Sequence, residues 1–317
     1  MDVYPAFYRN TNQSGILDGA KLAYEILSAD KLGLPGIVPL ALVNGLNSLG
    51  QDFQRLSESL AKSRPVLIFD NRGIGNSTYS VSAKSDEVTI ESMARDLLAL
   101  LSGLGWSKLA ILGFSMGGTI VQQLLLLPYH PSHPTPLPFQ VTHVILAGTM
   151  AAPLTEFRYR LQFAAPKSGL SLEEKKEVIR DNVEHFFTPA WVQDVRNAER
   201  LQWWLNRMVV GRPFEATRKQ LRATGKFSLG DLHRHIPKDI PVLTIHGRID
   251  DIVPFPAGED VHRRIPHARR VEVGLEPGQI PHNQFGHMWW EYFDIGAWRD
   301  VLDKFLEDNS LKEKARL

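Results

Sequence analysis

Cysteine is absent from all 317 residues. The chain therefore has no disulfide, no thiolate metal site and no cysteine nucleophile. An excess of one charge is also missing, since 36 basic residues stand against 35 acidic ones and the formal net charge is +1. Such a balance creates no long-range field that would attract nucleic acid or an anionic membrane. We therefore expect neither as a partner.

Long apolar runs are missing as well. The longest, such as Leu124–Leu127, are far shorter than the ~18 residues that a membrane helix needs. The first residues, Met1 to Pro5, show no basic segment followed by an apolar stretch, so no signal peptide is expected. On these grounds we expect a cytoplasmic protein.

Two patterns that would indicate a metal or a dinucleotide are incomplete. His130 and His133 lie in a proline-rich segment without a nearby carboxylate or cysteine, so a surface loop is favoured over a metal site. Gly73 and Gly75 lack the third glycine of a dinucleotide fingerprint. We predict no metal and no cofactor.

What the first half does contain is a regular alternation of two patterns. Apolar runs at Leu40–Val43, Val66–Phe69, Leu109–Leu112 and Val144–Ala147 each end at a turn-forming or polar residue. Continuous apolar runs of this kind are typical of strands buried on both faces. Between them, Ile90–Leu104 repeats apolar residues with helical spacing. The alternation predicts an α/β fold with a doubly wound, mostly parallel sheet.

The alternation stops after Gly148. Residues 153–236 show helical start signals, for example at Ser171 and Pro213, and no convincing buried strand. A strand pattern returns at 241–245 and at 270–273, and a last amphipathic helix is predicted over 295–307. We therefore predict an α/β core in two parts, interrupted by a helical cap, with boundaries at 1–152, 153–236 and 237–317.

A candidate nucleophile lies in the first core part. The segment from Gly113 to Gly118 reads Gly-Phe-Ser-Met-Gly-Gly, follows a predicted strand and opens a predicted helix. This is the Gly-x-Ser-x-Gly elbow in the context that it requires. The sharp turn strains the serine backbone, and the flanking glycines avoid side-chain collisions. The motif identifies Ser115 as the predicted nucleophile.

A serine nucleophile needs a base and a third group that orients the base. Asp250 and Asp251 follow the strand that ends at Ile245, whereas His282 and His287 follow the next predicted strand. The order serine, acid, histidine is the one expected of this elbow class. Position along the chain leaves both aspartates and both histidines as candidates.

These motifs, together with the segment 70–77, the segment 246–254 and the pair Gly286-His287, resemble the α/β-hydrolase superfamily. The resemblance spans nearly the whole chain, is weakest in the cap, and is to the capped branch that includes esterases, enol-lactonases and cofactor-free haloperoxidases. The family's spacing between the acid and the following Val-Pro favours Asp250 over Asp251. The Gly-His pairing favours His287 over His282.

The resemblance also implies an oxyanion hole formed by the backbone N–H groups of Leu46 and Met116. The family usually has His-Gly where this chain has Asn44-Gly45. Backbone donors do not depend on side-chain identity, so the substitution leaves the prediction intact. Asp70 is interpreted as a structural anchor of its loop rather than as a catalytic group.

The pocket is the part that sequence patterns constrain least. We expect several cap aromatics to cover a mainly apolar pocket and most of the others to be core. As substrate-binding residues we name Trp203, Trp204, Trp289 and Asn47. Simple packing is the alternative for the tryptophans, and a turn role is the alternative for Asn47.

The resemblance implies a serine hydrolase that cleaves a carboxylic ester or lactone with an apolar moiety, through an acyl-enzyme on Ser115. The expected partner is a small-molecule substrate. An aspartate at position 115 would have implied haloalkane or epoxide chemistry. The same residues also fit a lyase, a haloperoxidase or a carbon–carbon bond hydrolase, and a ligand receptor with a slow triad is an alternative of a different class.

Overall fold

The architecture is that of a computed structural model, which describes residues 12–15, 19–80, 87–154 and 169–308. A sheet of eight strands runs through it in the order β1-β2-β4-β3-β5-β6-β7-β8. The strands are β1 Asn12–Gly15, β2 Lys21–Leu27, β3 Leu40–Val43, β4 Val66–Phe69, β5 Lys108–Phe114, β6 Gln140–Ala147, β7 Val242–Ile245 and β8 Arg269–Arg270.

The centre of the sheet is parallel, and one edge is antiparallel. Strands β4, β3, β5, β6, β7 and β8 pair in parallel, whereas β2 pairs antiparallel with both β1 and β4. All four residues of β3, of β4 and of β7 are buried, as expected for strands covered on both faces. The predicted fold class, a doubly wound and mostly parallel sheet, is confirmed.

The α-helices among the described residues alternate with the strands through the first half. They are α1 Gln54–Leu60, α2 Ile90–Leu104, α3 Met116–Leu126, α4 Leu172–His185, α5 Pro189–Gln193, α6 Ala198–Met208, α7 Phe214–Lys226, α8 Phe255–Arg264 and α9 Ile295–Glu307. The predicted helices at 90–104 and 295–307 have these bounds. None of the helices in the described part of the chain has the length and apolar character needed to cross a membrane.

The order of the strands places a crevice between β3 and β5. The chain moves from β3 outward to β4, then crosses back to β5 on the other side of β3. With right-handed crossovers, α1 lies on one face and α2 and α3 lie on the other. Ligands bind where such connections diverge, at the carboxyl ends of the strands. Val43 and Gly113 are paired at that point.

Helices α4 to α7 fill the described part of the chain between β6 and β7, and no strand occurs in residues 169–241. The first of them begins with the predicted capping box, in which Ser171 and Glu174 each accept a hydrogen bond from the other's backbone N–H. Part of the predicted cap, residues 155–168, lies outside the described residues. Another part, α4, packs against α6.

The edge of the sheet differs from the prediction in one respect. The strand predicted over 270–273 is limited to Arg269 and Arg270, which pair with Leu243 and Thr244. The chain then turns, and Val273 forms a bridge with Ile280 instead of continuing along β7. Hydrogen bonds between backbone groups of the turn, from Gly274 to Ile280 and from Ile280 to Glu272, end the strand early.

Helix α3 packs so closely on the sheet that one of its residues has no room for a side chain. A Cβ atom on Gly117 would lie 2.1 Å from the backbone oxygen of Val43 in β3. The backbone oxygen of Val43 cannot rotate away from an added Cβ atom, as the end of a flexible side chain could. Glycine at this position therefore sets the distance between α3 and β3.

We predict that Gly117→Ala lowers the free energy of unfolding by about 1–3 kcal/mol, the usual cost of overpacking. The control is Gly103→Ala in α2, where the nearest atom to an added Cβ is 3.4 Å away. There the better helix propensity of alanine should raise stability by up to about 1 kcal/mol. Urea unfolding of both variants measures the difference, and an unchanged midpoint for Gly117→Ala would contradict the close packing.

Candidate active site

Ser115 occupies the turn between the last residue of β5 and the first residue of α3. Its backbone angles, φ 54° and ψ −124°, lie in a region that side chains with a Cβ rarely adopt. Hydrogen bonds to its backbone groups hold it there. The Ser115 N–H donates to the Ala147 carbonyl at 2.9 Å, and the Ser115 carbonyl accepts from the Thr149 hydroxyl at 2.6 Å. The turn holds the serine at the carboxyl end of β5, beside the β3–β5 crevice.

His287 and Asp250 form a buried pair on two separate loops. His287 Nδ1 lies 2.8 Å from Asp250 Oδ2, and both side chains are buried. An ionised carboxylate has no proton to donate, so Nδ1 carries the proton and Nε2 is left as a proton acceptor. The ring lies between Phe114 and Phe186, with centroid distances of 4.7 Å and 6.5 Å. The imidazole is thus fixed in both tautomer and orientation.

The loop around Asp250 keeps that carboxyl ionised. Its Oδ1 accepts the N–H groups of Ile252 and Val253, each at 2.9 Å. Burial by itself raises the pKa of Asp250, but the adjacent His287, the hydrogen bond from it and the backbone bond from Val253 outweigh burial and lower this pKa below its ordinary value. The carboxylate is therefore charged at neutral pH.

A second histidine supports the same loop. His246 Nε2 lies 2.8 Å from the Val253 carbonyl, to which it donates, and 3.7 Å from Asp250 Oδ2. Burial lowers the pKa of His246 even though Asp250 opposes this effect. A neutral His246 therefore braces the Asp250 loop by hydrogen bonding.

The competing residues lie elsewhere. His282 is exposed, accepts the Gln284 N–H through Nδ1 at 3.2 Å, and packs its ring against Phe293. Asp251 is only half-buried, and its neighbour Asp250 is the aspartate that contacts His287. The geometry thus brings Asp250 and His287 together and leaves Asp251 and His282 outside the pair.

Ser115 and His287 face one small cavity. Its volume is about 40 Å³. Leu46 and Met116, the predicted oxyanion residues, also line it. Met116 is the first residue of α3, so its N–H has no partner within the helix. The remaining lining residues are Gly45, Ser48, Phe114, Met150, Phe186, Leu221, Thr224, Ile252, Val253 and Met288.

None of the four residues predicted to bind substrate, Trp203, Trp204, Trp289 and Asn47, lines this cavity. Trp204 is fully buried and donates to Glu291, whereas Trp203 lies under the guanidinium of Arg200, 3.8 Å away. Trp289 packs in the core against Trp298. Asn47 accepts a hydrogen bond from Thr217. In each case, a polar group or a ring face of the residue already contacts another residue of the protein.

The residues that take their place are mostly aliphatic. Met150 follows β6, Leu221 and Thr224 lie on α7, and Ile252 and Val253 lie in the Asp250 loop. Aliphatic side chains in these positions carry no sequence signal that separates a cavity wall from ordinary core. Phe186, an aromatic residue of the predicted cap, is the one that an aromatic pattern could have identified.

One further prediction concerns a loop near the site. Asp70 is fully buried and accepts the N–H groups of Gly50 and Asn76, so it anchors its loop as predicted. Among the described residues, no group of three or more histidine, aspartate or glutamate side chains has the arrangement of a metal site.

Comparison with known proteins shows to which protein family the chain is similar. A family model described as alpha/beta hydrolase fold matches residues 38–275, more than half of the chain. The chain is 27% identical over 241 residues to the pimeloyl-[acyl-carrier protein] methyl ester esterase of Aliivibrio salmonicida, covering 73% of this chain and 82% of that protein. It is 26% identical over 268 residues to the rhodomycin D methylesterase DnrP of Streptomyces peucetius, covering 78% and 87%.

A solved structure shares the fold. The enol-lactonase from Burkholderia xenovorans LB400 superposes with a TM-score of 0.67 at 21% identity, covering 94% of this chain and 100% of that one. An esterase and an enol-lactonase were both named in the resemblance drawn from sequence motifs. The family match confirms that resemblance, and the chain belongs to the α/β-hydrolase fold family.

Proposed function

We propose that the protein is a serine hydrolase that cleaves a carboxylic ester or lactone with an apolar moiety, through an acyl-enzyme on Ser115. The observation that carries the proposal is that Ser115 and His287 line one cavity while Asp250 binds His287 from behind, at 2.8 Å. Nucleophile, base and orienting group are the three parts that acyl transfer requires.

The proposed reaction uses each of these groups in turn. His287 Nε2 removes the Ser115 hydroxyl proton as the serine oxygen attacks the substrate carbonyl carbon. The resulting oxyanion accepts hydrogen bonds from the N–H groups of Leu46 and Met116, and each such donor is typically worth ~3 kcal/mol in the transition state. His287 then protonates the leaving alkoxide, and a water molecule, activated by the same imidazole, hydrolyses the acyl-enzyme.

The cavity wall supports an uncharged, apolar substrate. Apart from His287, none of the residues lining the cavity in the described part of the chain is ionisable. Two relatives that are named as methyl esterases agree with hydrolysis of a carboxylic ester. We extend the proposal to the helical segment between β6 and β7, which contributes Phe186, Leu221 and Thr224 to the wall and would act as the cap. Because the free space is small, a larger substrate must displace some of these side chains.

Ser115→Ala should reduce ester turnover by at least ~10⁴-fold, since the covalent path is lost while the oxyanion donors remain. A fluorophosphonate probe should add its mass to the wild-type peptide that contains Ser115 and should leave the variant unlabelled. A variant that kept a tenth of wild-type turnover would contradict the mechanism.

The same experiment separates the alternative functions. A lyase, haloperoxidase or carbon–carbon bond hydrolase would be labelled at Ser115 but would be inactive on a panel of simple esters and lactones. A receptor would turn over its ligand very slowly, and the ligand would raise its melting temperature. Free cycling on an ester excludes both outcomes.

Asp250→Asn should lower kcat by about 10³–10⁴-fold, because an amide no longer selects the His287 tautomer with its proton on Nδ1. The matched control is Asp251→Asn, an identical change at the adjacent residue, which should retain most of the activity. Steady-state kinetics on one ester measures both variants. Equal losses, or the reverse ranking, would move the orienting role to Asp251.

Substrate preference should respond to the cavity wall rather than to the buried tryptophans. Leu221→Ala enlarges the cavity and should change the ratio of kcat/KM between long and short acyl esters by about tenfold or more. The control is Trp203→Ala, which removes a larger side chain outside the cavity and should lower the melting temperature without changing the substrate ranking. A ranking altered only by Trp203→Ala would refute this assignment.

A further inference from the structure

Asn47 has an unusual backbone for a residue that touches no substrate cavity. Its φ of 58° makes it one of four non-glycine residues with positive φ among those described. It follows Leu46 directly, in the turn between β3 and the short helix Gly50–Phe53. Asparagine tolerates this conformation better than most residues, but the conformation still needs external support.

Three of its four polar groups are bound by one distant part of the chain. The Asn47 N–H donates to Gln220 Oε1 at 2.8 Å. Its side-chain Oδ1 accepts from the Thr217 hydroxyl at 2.6 Å, and its carbonyl accepts from Arg212 Nε at 2.8 Å. These partners are 165 to 173 positions away and lie on α7 or just before it. The turn is therefore held by α7 rather than by its own sequence neighbours.

The side chains of all three partners are buried. Thr217 and Gln220 are buried. The Arg212 guanidinium, also buried, contacts both carboxylate oxygens of Asp52 at 2.8 and 2.7 Å. Asp52 in turn accepts the Leu49 N–H at 2.9 Å. The buried ion pair between Arg212 and Asp52 thus links the residues just before α7 to the far end of the same turn.

We propose that Thr217, Gln220 and Arg212 are positioning residues, which orient the turn that carries the Leu46 N–H toward the oxyanion. The inference rests on the proposed function, because this orientation matters only if an oxyanion forms at Ser115. The bond from Asn47 N–H to Gln220 fixes the peptide plane that follows Leu46. An oxyanion donor displaced by about 1 Å can lower the rate by roughly 10²-fold.

Helix α7 serves the cavity at the same time. Leu221 and Thr224 line it, and Gln220 is the neighbour of Leu221. Displacement of α7 by a substrate that does not fit would therefore also move the support of Asn47. Substrate fit and oxyanion stabilisation are coupled through one helix, so a poor substrate should lose kcat as well as affinity.

The test uses Thr217→Val and Gln220→Met in the full chain, with 4-nitrophenyl acetate as the substrate. Each variant removes one bond to Asn47 and nearly preserves side-chain volume. We expect kcat to fall by about 10- to 100-fold, with KM changed by less than about threefold, because ground-state binding is untouched. Hydrogen exchange of the amides of residues 44–49 should accelerate in both variants. Thr217→Ser, which keeps the hydroxyl, should recover most of kcat.

Thr142→Val is the matched control, because Thr142 is also buried and its hydroxyl donates to a backbone carbonyl, that of Leu109 in β5. It should lower the melting temperature without changing kcat or the exchange of residues 44–49. Unchanged exchange in Thr217→Val and Gln220→Met would overturn the inference whatever the activity. Faster exchange with unchanged kcat would overturn the oxyanion role. If the wild-type protein shows no Ser115-dependent hydrolysis, the proposed function and the oxyanion role are refuted together. If the wild-type protein hydrolyses the ester and both variants match its kcat and its exchange rates, only the inference is refuted.

Discussion

The turn between β5 and α3 is the constraint on which the rest of the site depends. It forces Ser115 into φ 54° and brings α3 to within backbone contact of β3. A strained residue of this kind costs of order 1–3 kcal/mol and persists only when its surroundings over-determine it. Here the surroundings are the bond to Ala147, the bond from Thr149 and the side-chain-free surface of Gly117. The strain holds the serine at the crevice between β3 and β5.

The Asp250–His287 pair depends on that crevice in a different way. The segments that follow the neighbouring strands β7 and β8 meet at this pair, and burial alone would favour an uncharged Asp250. Backbone N–H groups from Ile252 and Val253 and the imidazole of His287 keep the carboxylate charged. The charge therefore survives burial because every oxygen of the carboxylate has a donor, which is the general condition for a buried ion.

Buried ion pairs also attach the helices between β6 and β7 to the core. Glu291 has a fully buried side chain that contacts Arg200 at 2.6 Å and the indole N–H of Trp204 at 3.1 Å. Asp52 makes the corresponding contacts with Arg207 and Arg212. Such pairs add little net stability over apolar packing, but breaking one partner is costly. They define where the helices sit, and α7 thereby supports both the cavity wall and the Asn47 turn.

The sequence itself determined three features, because each depends on local patterns. They are the strands at the centre of the sheet, the nucleophile elbow and the order of the three candidate catalytic residues. Runs of apolar residues indicate buried strands, and the glycines around Ser115 indicate a sharp turn. The identity of the cavity wall was decided only by the tertiary structure. Whether Trp204 or Leu221 faces the serine depends on how α6 and α7 pack, and Asn47 is bound by residues more than 160 positions away. Side chains that are alike in sequence become wall or core according to such long-range contacts, which no local pattern records.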